Sequence, residues 1–196
     1  MALVISGTFV DLSHLAGGTY SVDVPLRGNQ VKKMTVELAY TNHCYSRGPL
    51  VGEEVPTGFV VMDGAKARIF DWRRYHLSKN LPHVMASLFS GDATVRATHH
   101  HNFVQIELVE ELADGIKREV NYYIFLRIRK HDVPNEPKLM KIRVETAFPE
   151  DLLYYDKPEL GKPYSLKKIL QCYWEGRDYW RPDPGSNSKK KGKNKR

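Results

Sequence analysis

Val120-Asn-Tyr-Tyr-Ile-Phe-Leu-Arg-Ile-Arg129 and Leu139-Met-Lys-Ile-Arg-Val-Glu-Thr-Ala-Phe-Pro149 are the stretches on which the reading of this chain turns. In the first, Val120, Tyr122, Ile124, Leu126 and Ile128 alternate with Asn121, Tyr123, Phe125, Arg127 and Arg129. In the second, Met140, Ile142 and Val144 alternate with Lys141, Arg143 and Glu145. The loop between them carries His131-Asp132-Val133-Pro134-Asn135, a turn signal. A period of two places each set on one side of a pleated sheet, so the pair predicts a β-hairpin. One face is apolar core; the other holds Phe125, Arg127, Arg129, Lys141, Arg143 and Glu145. Several cations, one carboxylate and an aromatic on a sheet face suit a phosphate backbone and the charge of phosphodiester cleavage. The same pattern also describes the solvated outer face of an antiparallel sheet.

The rest of the chain extends this hairpin in both directions. Thr19–Leu26 and Val31–Tyr40 form a second alternating pair across Arg27-Gly28-Asn29-Gln30. The second of these strands runs directly into Thr41-Asn42-His43-Cys44-Tyr45-Ser46-Arg47. A Gly- and Pro-rich loop from Gly48 to Gly58 and a short strand at Phe59–Met62 follow. Asp71 is placed to cap a helix over Trp72–Lys79. Asn80 is placed to cap a second helix with Pro82 in its first turn, a stripe of Leu81, Val84, Met85 and Leu88, and Gly91 at its end. Phe103–Val109 reads as a strand, Ala113-Asp114-Gly115 as a turn, and Asp151–Pro163 as a polar connection. Ser165 caps a helix over Leu166–Trp174, with Leu166, Ile169, Leu170 and Tyr173 as its docking stripe.

The fold class expected is α+β: an N-terminal hairpin, two short helices, then a four- or five-stranded antiparallel sheet with a C-terminal helix. Residues 1–163 form one domain, 164–185 the docking helix and its extension, and 186–196 a disordered basic tail. The net charge of +7 belongs mostly to that tail: Lys189, Lys190, Lys191, Lys193, Lys195 and Arg196 leave residues 1–185 at +1. Such a tail raises affinity for RNA or DNA nonspecifically, or simply solubilises the chain. No run of about 18 apolar residues is present, so no transmembrane helix is expected. The N-terminus has no basic stretch ahead of an apolar one, so a signal peptide is not expected either. Cys44 and Cys172 are read as two reduced thiols in a cytoplasmic protein.

The order of helices followed by an antiparallel sheet, together with Leu81-Pro82-His83-Val84 on the preceding helix and Thr146-Ala147-Phe148-Pro149 closing the last strand, carries a resemblance. Residues 70–149 resemble the barnase–EndoU–colicin–RelE superfamily of small metal-independent ribonucleases, many of them toxins of mobile elements. The resemblance implies RNA as substrate, an antitoxin or immunity protein as partner, no cofactor, Thr146 as a substrate-contacting hydroxyl, and a helical histidine, here His76, in catalysis. The hairpin ahead of His43 is not part of the usual pattern of that superfamily.

Cleavage through the 2′-hydroxyl needs a base, an acid for the leaving oxygen and cations for the charged transition state. Glu145 is the base that the residues themselves suggest, because Arg127 and Arg143 flank it. Strict alternation turns Thr146 away from Glu145 unless a bulge intervenes at the strand end. The alternation thus favours Glu145 and the resemblance Thr146. His43, in a polar and aromatic cluster at the end of a strand, is one candidate acid and His76 the other. Arg47, Arg74, Arg127, Arg129, Lys141 and Arg143 are the expected RNA-binding cations. A Cys44 nucleophile would need a histidine other than adjacent His43, such as His76. His99-His100-His101 brings no Cys or carboxylate at ligand spacing, so no metal site is expected. Trp72, Trp174 and Trp180 are read as packing residues. The functional expectation is a toxin-like endoribonuclease working by acid–base chemistry; the alternative is a noncatalytic RNA- or protein-binding module of a mobile-element or defence system.

Overall fold

A computed structural model describes residues 1–97, 102–111, 117–150 and 162–179. The histidine run at 99–101, the turn at 113–115, the connection at 151–161, Trp180 and the basic tail lie outside the described residues. The strands are β1 (Ala2–Ile5), β2 (Thr8–Asp11), β3 (Gly18–Pro25), β4 (Val31–Tyr40), β5 (Ser46–Arg47), β6 (Val60–Asp63), β7 (Lys66–Phe70), β8 (Thr94–Ala97), β9 (Asn102–Glu111), β10 (Lys117–His131), β11 (Leu139–Pro149) and β12 (Lys162–Ser165). The helices are α1 (Trp72–Ser78), α2 (Leu81–Ser90) and α3 (Leu166–Trp174). The class is α+β, dominated by strands.

The main sheet has the order β12-β8-β9-β10-β11-β4-β3. It is longer than the expected sheet, and it is mixed. Every neighbouring pair is antiparallel except β11 and β4, which run parallel with Val36 opposite Met140 and Leu38 opposite Ile142. Periodicity assigns a residue to a face but says nothing about which strand lies beside it, or in which direction. The N-terminal hairpin is therefore an integral part of the sheet. A second sheet has the order β5-β7-β6, and β1–β2 form a separate hairpin. Pro163, read as part of a connection, lies in β12 against Arg96 of β8.

The apolar half of each alternation forms the core. Tyr122, Ile124, Met140, Ile142, Val144, Val24 and Val36 are almost completely buried beneath α2 and α3, which contribute Leu81, Met85, Leu88, Leu166, Ile169 and Leu170. Burying side chains of this size stabilises the fold by about 1.5–3 kcal/mol each relative to exposure. The helix ends are built as their sequences suggest. Asp71 accepts from the Arg74 amide at 3.0 Å, and Ser165 Oγ accepts from the Lys168 amide at 3.2 Å. Gly91 closes α2 with φ of 101°, a conformation costly for any side chain. Asn80 differs from expectation: it makes no side-chain cap, and its Nδ2 donates instead to the Leu77 carbonyl at 3.1 Å. Gly17 has a steric duty, since a Cβ there would stand 2.3 Å from the Leu38 carbonyl oxygen where β3 begins. No helix among the described residues is long and apolar enough to cross a membrane.

Candidate functional site

The solvent face of β10 and β11 carries the charged half of the hairpin, and its geometry is set by one irregularity. Phe125 pairs with Thr146, but the next residue, Leu126, pairs with Val144. Glu145 is thus the extra residue of a β-bulge. The consequence is stereochemical. Val144 and Ala147 both point into the core, at 0% exposure, while Glu145 and Thr146 between them are both half-buried. The register places Thr146 beside Phe125 and Arg143 beside Arg127, all on the outer face. The two residues that strict alternation sets on opposite sides therefore share one.

Glu145 is clamped by the arginines expected to flank it. Its Oε1 accepts from Arg127 Nε at 2.7 Å and from Arg143 Nε and Nη2 at 3.0 and 2.8 Å, while Oε2 accepts from Arg143 Nη2 at 3.0 Å. Oε1 is crowded; Oε2 retains room for another donor. Both arginine side chains remain 49% exposed, within reach of a ligand. The band continues along the sheet. Lys141 lies 3.6 Å from Glu37 of β4, and Arg129, opposite Lys141 in register, has no ion pair among the described residues. Beyond Thr146, Phe125 stacks on Phe148 with ring centres 5.6 Å apart.

A second group approaches the bulge from β4. After Tyr40 the chain turns through Asn42–Cys44, a single 3-10 turn. Thr41 fastens this turn to β11: its amide donates to the Val144 carbonyl at 3.1 Å and its Oγ1 to the Glu145 carbonyl at 2.6 Å. The same Oγ1 accepts from the His43 amide at 3.2 Å. One hydroxyl thus joins the backbone of His43 to that of Glu145. The His43 imidazole is engaged elsewhere, with Nε2 2.8 Å from Asp63 Oδ2 at the end of β6. That hydrogen bond is the main reason the Asp63 carboxyl is held below its usual range. Thr41 and Asp63 went unrecognised in the sequence; a lone Thr at a strand end and an Asp twenty residues from its partner carry no periodic signal.

Three of the expected participants are placed differently. Arg74 is 3% exposed and donates through Nη1 to the carbonyls of Ser46 and His43, at 2.9 and 3.2 Å, with its guanidinium over the Phe148 ring. It braces the 43–46 turn from within and is not a surface phosphate ligand; buried charge is tolerated there because carbonyls accept its hydrogen bonds and the Asp71 carboxylate lies 3.9 Å from its Nε. Arg47 forms a bidentate pair with Glu53, both contacts 2.6 Å, instead of reaching toward the sheet face. That pairing pulls the Glu53 carboxyl down to about 2. His76 stacks on Trp72 along α1, ring centres 6.0 Å apart, and is not among the contacts of Glu145. Partial desolvation, then the Lys79 ammonium, lowers its pKa below the usual imidazole range. Trp72 itself, 37% exposed, packs its ring on Phe70 and Tyr75, with centres 4.9 and 5.8 Å away.

Cys44 is fully buried and burial pushes its thiol up to about 12, so it is no nucleophile at neutral pH. Both cysteines are free thiols. No cluster of three metal-ligating side chains occurs among the described residues.

Comparison with known proteins gives one finding. No curated protein and no solved structure matches the chain. Residues 2–174, which span the strands and helices described above, match a family profile. By that match, the chain belongs to the YjaZ family.

Proposed function

We propose that this protein is an endoribonuclease working by general acid–base chemistry at the Glu145 bulge, of the kind used by the toxin-like superfamily its sequence resembles. The observation that carries the reading is the bulge, which sets Glu145 and Thr146 on one face with Arg127 and Arg143. In this reading Arg129, Lys141, Arg127 and Arg143 lie along the RNA backbone. Glu145 Oε2 takes the proton of a 2′-hydroxyl, the 2′-oxygen attacks phosphorus, and the 5′-oxygen leaves with a proton from His43. The products are a 2′,3′-cyclic phosphate and a 5′-hydroxyl end. Thr146 and the two arginines stabilise the phosphorane oxygens. An RNA target implies work in the cytoplasm, and a toxin of this kind implies a cognate antitoxin or immunity protein.

A noncatalytic RNA- or protein-binding module is the second reading. The engagement of His43 with Asp63 and of His76 with Trp72 favours it, because neither imidazole contacts Glu145. Incubating the protein with total RNA in EDTA, beside a Glu145→Ala, Thr146→Ala double variant, separates the two. Fragmentation by the wild type alone supports the enzyme. Intact RNA with retained binding supports the module, and intact RNA without binding rejects an RNA function for this face.

A further inference from the structure

The hydrogen bond between His43 and Asp63 has no structural necessity. Both side chains are substantially exposed, His43 at 32% and Asp63 at 44%, and an exposed pair of this kind adds little to stability. Its placement is nevertheless controlled from three sides. Asn42 Nδ2 donates to the Met62 carbonyl at 2.8 Å, tying the turn to the residue next to Asp63. The Thr41 hydroxyl holds the His43 amide against Glu145. Arg74 grips the His43 carbonyl from below. The charged groups around the pair are Lys66 and Arg68 on β7, which act on Asp63, and Arg74 on α1, whose guanidinium reaches the His43 carbonyl.

We infer that Asp63 is a positioning residue for the proposed reaction: it holds His43 by Nε2, so that Nδ1 is the nitrogen presented to substrate. A carboxylate can only accept, so the imidazole nitrogen facing it must carry hydrogen. In the neutral ring this fixes the Nε2–H tautomer and leaves the Nδ1 lone pair; in the protonated ring Nδ1–H is the donor available to a leaving oxygen. The carboxylate also holds the ring against a flip about Cβ–Cγ, which would put Cδ2 in the place of Nδ1. This inference rests on the ribonuclease reading, with His43 as its acid.

The test pairs a spectroscopic with a kinetic measurement on the full chain. Imidazole 15N shifts of His43 are recorded for the wild type and for Asp63→Asn and Asp63→Glu, and each protein's RNA cleavage is measured in EDTA. The wild type is expected to show the Nε2–H tautomer, Asp63→Asn a mixture of the two. Asp63→Asn should lower kcat on the order of tenfold with KM unchanged, since a positioned general acid contributes about 10²–10⁴ in rate. Asp63→Glu should recover part of the loss. Unchanged kcat in Asp63→Asn, or a change confined to KM, overturns the positioning role and leaves the nuclease reading standing. An unchanged tautomer balance overturns it too. A wild type that does not cleave RNA removes the reading itself, and the role with it.

Discussion

The arginines of this protein fall into two regions that share a residue type and little else. On the outer face of β10 and β11, Arg127 and Arg143 are half in water and converge on one carboxylate. Around the 42–47 turn, Arg74, Arg68 and Arg47 are drawn into the structure. Arg68 Nε donates to Ser46 Oγ at 2.9 Å, Arg74 to two main-chain carbonyls, and Arg47 to Glu53. A guanidinium can present its charge to a ligand or complete the hydrogen bonding of a turn, and its surroundings decide which. The sheet-face arginines are thus fit for binding; the turn arginines hold in place the segment that carries His43.

The sharpest way to break this contrast is Arg74→Ala. Removing a buried guanidinium takes a donor from the His43 carbonyl and leaves that of Ser46 to Arg68, and the fold should lose about 3 kcal/mol, read by urea denaturation. Stability close to wild type would show that the turn does not depend on it. Arg127→Ala and Arg143→Ala should behave in the opposite way. Each is expected to change stability by less than about 1 kcal/mol, yet weaken RNA binding and lower the salt slope by about 1. Equal affinity in a low-salt titration would end the role of this face in binding RNA.

Thr41→Val tests the link between the two regions. Loss of the hydroxyl removes its bonds to the Glu145 carbonyl and the His43 amide, at a cost of about 1–2 kcal/mol; a melting temperature equal to wild type would count against the link. The smallest effect concerns acid. Because the Glu53 carboxyl is depressed from 4.5 to about 2, its pairing contributes stability that is fully present above pH 4.5 and is lost as pH falls toward 2. Glu53→Gln should therefore flatten the stability–pH curve across that window and lower stability modestly at neutral pH, where an unaltered curve would contradict the pairing.

Much of the fold was legible because alternation is a physical consequence of the pleat. The core residues of β10 and β11, the hairpin of β3 and β4, the stripe of α2 and the Ser165 cap of α3 all follow from periodicity and capping chemistry. The parallel pairing of β4 with β11 did not, since face and neighbour are independent properties of a strand. The site was half legible. Glu145 with Arg127 and Arg143 could be read from neighbouring strand positions. The bulge that adds Thr146 depends on how β11 meets β10, and the internal roles of Arg74 and Arg47 depend on tertiary neighbours that no local pattern encodes. The short β7 and β12 strands fell below the length at which alternation is distinctive.

The hydroxyl of Thr41 reaches a carbonyl 104 positions further along the chain. β4 is made before β11, and its place beside that strand stays vacant until the residues between them have been added. Long-range closure of this kind is slow, because the entropy of the intervening loop is lost before any contact compensates it. The bulge, the arginine clamp and the His43 turn can therefore come together only once both strands are in place. A nascent chain on the ribosome holds the parts of this site without holding the site.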